Sequence, residues 1–195
     1  ADGQTYGVES FYSYPHGGEN ALALTAPPEA EAAWRVSVRE RSGSKGIVTA
    51  SGAYYRIDRE IACTPGRVGV KDTIINLTGA PLGIMFSNRI VATGLAGALC
   101  PSYPNPTVFM GSEDHGAGIV ALDDVYLEQY ERFHGEGKGG GEAAQFGTGG
   151  LRSRTFALDA GASYTLEWAV YVNATGDYYD FINAVRQDEG LGAHD

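Results

Sequence analysis

Apolar and polar residues alternate in short runs along most of the chain, and turn-forming residues interrupt the runs. Tyr6 to Tyr14 and Asn20 to Thr25 each alternate before Pro27-Pro28 stops the pattern. From Trp34 to Arg41, Trp34, Val36 and Val38 fall on one face, with Arg35, Ser37, Arg39 and Arg41 on the other. That is the pattern of a strand with one buried and one polar side. After Ser-Gly-Ser-Lys-Gly come Ile47 to Thr49 and then Ala53 to Ile61, which puts Tyr55, Ile57 and Ile61 in phase. Thr64-Pro65-Gly66 predicts a tight turn, because proline presets φ and glycine accepts positive φ. Arg67 to Leu77 and Leu82 to Thr93 follow as strands, and Val108 to Gly111, Gly118 to Leu122 and Val125 to Phe133 are the next candidates. Arg154 to Leu158 and Ser163 to Asn173 close the β pattern around an Asp159-Ala-Gly161 turn.

Two segments depart from this rhythm. Cys100 to Pro106 is rich in proline and reads as a polyproline II or loop segment, while Gly135 to Gly150 is glycine-dense and predicts a flexible loop. Past Asp177 the period changes: Tyr178, Phe181, Ile182 and Val185 stand at offsets 0, 3, 4 and 7, the signature of an amphipathic helix over 177–189. Asp177 is placed to cap it and Gly190 to end it. About ten to twelve strands and one terminal helix predict an all-β chain, two antiparallel sheets packed as a β-sandwich. A barrel or jelly roll has the same periodicity. The whole of 1–195 is expected to form one such module.

Composition sharpens the picture. The chain has 195 residues, with 14 Lys+Arg against 24 Asp+Glu and a net charge of −10. That balance argues against nucleic acid and anionic membrane partners. No run approaches the roughly 18 apolar residues of a membrane-spanning helix. Cys63 and Cys100 could pair in an oxidising compartment or stand as two buried thiols. No HxH, HExxH or CxxC spacing marks a zinc site. A structural Ca2+ around Glu113-Asp114 or Asp123-Asp124 would fit the acidic balance, with solvated acids as the plainer reading.

Three phrases carry a resemblance: Tyr54-Tyr-Arg-Ile-Asp-Arg-Glu-Ile61, Pro65 to Thr78, and Leu158-Asp-Ala-Gly-Ala-Ser-Tyr-Thr-Leu-Glu-Trp168. Their order resembles the galactose-mutarotase-like, or supersandwich, domains that accompany the catalytic barrels of polysaccharide-active enzymes. The resemblance implies a secreted accessory or carbohydrate-binding module, without chemistry of its own, attached to an adjacent catalytic domain such as a glycoside hydrolase. The opening Ala1-Asp2 fits a processed or excised chain. A mutarotase or polysaccharide-lyase type of enzyme is the alternative, and a purely structural domain packed on a catalytic neighbour is a third.

For polysaccharide binding the candidate residues are Tyr126, Glu128, Tyr130 and Arg132, with His134 beyond them. Were Val125 to His134 a strand, these would share a face that mixes rings with hydrogen-bonding groups, as a sugar requires. Tyr103, held between prolines, is a second candidate. Trp34 and Trp168 are in phase with aliphatic neighbours and are assigned to the core. Arg35, Arg39, Arg41, Arg56 and Arg67 would form a basic strip for uronate or sulfate if their strands were neighbours. An enzyme would draw on His115 or His134 with Glu128 or Glu167. Asn76-Leu-Thr78 and Asn173-Ala-Thr175 match the N-glycosylation sequon.

Overall fold

A computed structural model describes residues 6–24, 28–93, 98–99, 106–134 and 146–191. Within them the alternating runs become fifteen strands, and every pairing is antiparallel. One sheet has five strands. Its order is β12 (Glu131–His134), β13 (Phe146–Ser153), β8 (Phe86–Thr93), β1 (Tyr6–Tyr14) and β2 (Gly18–Ala21). The other has eight: β3 (Arg35–Ser42), β4 (Lys45–Ser51), β5 (Tyr55–Thr64), β6 (Arg67–Asn76), β15 (Ser163–Asn173), β11 (Gly116–Ala121), β10 (Thr107–Gly111) and β9 (Ala98–Leu99). A two-stranded piece pairs β7 (Leu82–Gly83) with β14 (Ala157–Leu158).

The two large sheets face one another across a single core. Tyr12, Phe86, Ile90 and Leu151 from the five-stranded sheet meet Ile57, Ile74, Ile119, Leu166 and Trp168 from the eight-stranded sheet. The sandwich expected from the periodicity is therefore the fold, and both tryptophans lie inside it, at 1% exposure for Trp34 and 0% for Trp168. The turn at Thr64-Pro65-Gly66 forms as expected, with Gly66 at φ +77° between β5 and β6.

Helix α2 (Tyr178–Asp188) is the predicted terminal helix, and the Asp177 side chain accepts from the Tyr179 N–H at its start. It lies on the outer side of the eight-stranded sheet, where fully buried Phe181 packs with Phe109, Val120, Ala169 and Tyr171. Gly118 makes this docking possible. A Cβ there would come within 2.5 Å of the Phe181 ring.

Several expectations fail locally: the strand read over Asn20 to Thr25 runs instead from Gly18 to Ala21, and Leu82 to Thr93 divides into β7 and β8 in separate sheets. Val125 to Phe133 is not one strand: helix α1 (Asp124–Gln129) occupies most of it, and β12 begins only at Glu131. Asp123 caps α1 by accepting from the Tyr126 N–H, and the helix formers Leu127, Glu128 and Gln129 follow. The glycine-dense stretch read as loop to Gly150 becomes strand from Phe146, pairing with β8 along its whole length. Arg154 to Leu158 keeps only the two residues of β14 as strand.

Candidate functional site

The helical turn of α1 undoes the face on which Tyr126, Glu128, Tyr130 and Arg132 were aligned. Tyr126 points inward and is completely buried, its ring edge-on to Phe86 at 5.2 Å. Glu128 is exposed and Tyr130 half-buried on the next turn. Arg132 and His134 lie on β12, a separate element. Tyr126 and Glu128 therefore do not share the single strand face on which the array was drawn, because a helix advances 100° per residue where a strand alternates. Tyr103 and Cys100 fall outside the described residues; Cys63 is exposed at the end of β5.

The arginine strip divides likewise. Arg35 and Arg56 share one cross-strand row through Ser51, and Arg56 pairs with Asp58 at 2.9 Å. Arg67 instead sits at the β5–β6 turn, donating to the Tyr171 hydroxyl at 3.0 Å and pairing with Asp188. A different set of arginines converges on the outer side of the five-stranded sheet. Register places Glu131, Arg152, Ser87 and Phe11 in one row across β12, β13, β8 and β1, with Arg89 and Glu9 side by side in the next. Directly opposed residues of a sheet share a face, so these side chains lie together.

There they border a depression of about 330 Å³ lined by Phe11, Glu19, Ser87, Arg89, Arg152 and Arg154. It adjoins a second depression, about 570 Å³, flanked by Tyr14, Pro15, Thr155 and Ala157, and the two share Glu19, Met85 and Arg154. These two adjoining depressions make up the groove.

Carboxylates hold the arginines. Arg89 donates from Nε and Nη2 to a single oxygen of Glu9, at 2.8 and 2.6 Å, and lies 4.5 Å over the Phe11 ring. Arg152 and Arg154 both direct Nε at one Glu131 oxygen, at 3.1 and 3.4 Å. Stacking and two short hydrogen bonds fix the Arg89 guanidinium plane, which would otherwise sample many rotamers.

Beneath the groove the inner face is equally constrained. Arg59 is 6% exposed and Asp72 0%, and they are joined through Nε to Oδ1 at 2.6 Å and Nη2 to Oδ2 at 2.8 Å. Arg59 also donates to Ser10 at 2.8 Å and Tyr12 at 3.1 Å, while Ser10 donates to Asn88 at 2.6 Å. The Trp168 indole and the Tyr12 hydroxyl donate to Asp72, and Asn88 donates to the Tyr126 hydroxyl at 3.1 Å. Burial alone would lower the Arg59 pKa, but Asp72 holds it above the ordinary value. This network fastens β1 and β8, the strands that carry Phe11, Ser87 and Arg89, to the opposite sheet. Arg59 stands in phase with Tyr55, Ile57 and Ile61, and that phase was the sequence signal for its inward position.

Other candidates resolve less favourably. His115 receives the attention of Asp114 and Ser112 at Nδ1, at 2.6 and 2.8 Å, and Glu167 pairs with Lys71 at 2.8 Å, so His115 is joined to neither Glu128 nor Glu167. Asp123 accepts from the Tyr126 N–H, the Glu167 N–H and the Tyr164 hydroxyl, which occupies the oxygens a calcium ion would need. Among the described residues no three His, Cys, Asp or Glu side chains converge as metal ligands, and no helix is long and apolar enough to cross a membrane. The Asn76 sequon is interior: its amide donates to the Ala80 and Asp159 carbonyls and its oxygen accepts from Thr78.

No protein-family model matches the chain, and no curated protein sequence does. Solved structures do. The heparan sulfate lyase HepC from Pedobacter heparinus aligns over 73% of this chain and 22% of its own, with 10% identity and a TM-score of 0.52. The polysaccharide lyase BACCELL_00875 aligns over 92% of this chain and 27% of its own, with 16% identity and a TM-score of 0.52. At such identities the likeness establishes a shared fold. The chain spans about a quarter of the length of these lyases.

Proposed function

We propose that this chain is a non-catalytic carbohydrate-binding or accessory module of a secreted polysaccharide-degrading enzyme, and that it holds glycan along the outer groove of the five-stranded sheet. The observation that carries the reading is the groove itself. It is open, and lined by the apolar surfaces of Met85, Pro15 and Ala157 interleaved with the hydrogen-bonding groups of Ser87, Glu19 and Arg154. A sugar chain needs both. The fold supports it too, since the sandwich matches part of two lyases that are far longer than this chain. An adjacent catalytic domain in the parent protein belongs to the same proposal.

Of the expected contact residues, Tyr126 is buried and is left out of this reading. Tyr126 serves the core, and the apolar contacts and donors come from β1, β8 and the β13–β14 turn. Affinity electrophoresis through polysaccharide gels is the test. Ser87→Tyr, which fills the groove floor, and Met85→Asp should each lower retention about tenfold, while Val172→Ser on the other sheet leaves it unchanged. Wild-type migration unaffected by every polysaccharide tried, or groove variants retained like wild type, would refute the proposal.

A further inference from the structure

The groove also has a charge preference. Resting on the glycan-binding reading above, we propose that Arg152 and Arg154 form an anion clamp for a carboxylate- or sulfate-bearing sugar unit, and that Glu131 is the internal anion which that group displaces. Three arginines and one glutamate, Glu19, line the inner depression. Glu9 and Glu131 do not line it; they hold the arginines from the side. The lining itself is therefore cationic, and the flanking carboxylates of Glu9 and Glu131 neutralise it until one of them is displaced.

Glu131 shows that the pair can hold an anion. One of its oxygens lies between two guanidinium groups, so two cations share one carboxylate. The contact is exchangeable. Glu131 is 47% exposed and Arg154 53%, which places the bridge at the groove rim, where an exposed ion pair contributes little. Arg152 is held more firmly, at 23% exposure. A guanidinium presents paired donors that match carboxylate and sulfate oxygens, and a ligand oxygen meeting both arginines would take the place of the Glu131 oxygen they share. Arg89, stacked on Phe11, extends the same edge along β8.

This arrangement makes a prediction that simple electrostatic attraction to a basic patch does not share in full. Removing the competitor should tighten binding: Glu131→Gln is expected to raise affinity for polygalacturonate or heparin about three- to tenfold, measured by titration calorimetry at low salt. Arg152→Gln and Arg154→Gln should each weaken it about tenfold, and Arg154→Lys should recover only part, because the charge returns without the fork. Wild-type affinity should fall as salt rises from 0.05 to about 0.3 M. Comparing polygalacturonate, a sulfated glycan and neutral galactan separates carboxylate from sulfate recognition.

Equal affinity for neutral and anionic polymers, or Glu131→Gln binding no tighter than wild type, would overturn the clamp while leaving glycan binding in place. Failure of wild-type protein to bind any of the three polymers would instead remove the underlying reading. Thermal melts of each variant identify any that do not fold, and the Glu131→Gln arm decides the proposal without them, because it predicts a gain.

Discussion

Arg59 and Asp72 show how one buried pair supports an exposed site. Both charges are inside, and every oxygen of Asp72 is taken by Arg59, Tyr12 or Trp168. Asp72→Asn leaves the Arg59 cation without its counter-charge and should lower unfolding free energy by about 3–5 kcal/mol in urea denaturation. Tyr126 makes a second residue-scale prediction. Tyr126→Ala deletes a wholly buried ring and should cost about 3–5 kcal/mol of stability, with a matching fall in melting temperature. These residues mark where sequence reading stops. The phase of Arg59 with Ile57 pointed inward, but its partner lies 13 residues on, across a hairpin, and no local pattern announces a charge pair in a core.

Elements were more legible than single contacts. Tyr6–Tyr14 and Ser163–Asn173 coincide with their expected spans, because half-buried strands of nine and eleven residues display their period in full. Helix α2 was readable for the same reason, with eleven residues covering three turns. Helix α1 was not: six residues span less than two turns, and over that distance a helical and an alternating pattern look alike. Asp123 followed by Asp124 was the available clue, an N-cap and a first-turn acid. Asp177→Ala should destabilise α2 by about 1 kcal/mol, seen as faster amide exchange in Tyr178 to Ile182. Gly118→Ala drives a Cβ into Phe181 and should speed exchange along the entire helix at least tenfold, leaving β1 and β8 protected.

The molecule as a whole responds to alkali through its interior tyrosines. Burial raises Tyr12, Tyr55 and Tyr126 above the ordinary value near 10. In the unfolded chain these groups lose protons from about pH 10, whereas the folded state retains them, so stability is intact below pH 10 and declines as pH rises beyond it. Each contributes a slope of about 1.4 kcal/mol per pH unit in that range. Melting temperature measured from pH 8 to 11.5 should be level and then fall steeply, and Tyr55→Phe should make the fall shallower. At this scale the sequence told the architecture but not its frontage. Alternation distinguishes in from out on each strand, yet which outer side carries a groove depends on strand order, and that order is non-local: β8 lies between β1 and β13, and β15 between β6 and β11. The Arg59 network has a mechanical meaning as well. Sliding one sheet past the other by a single residue would carry Ser10, Tyr12 and Asn88 out of reach together, so the sandwich resists shear and its two layers are expected to part in one step. A pulling force applied to one layer would be carried to the other through this rivet instead of peeling the sandwich strand by strand.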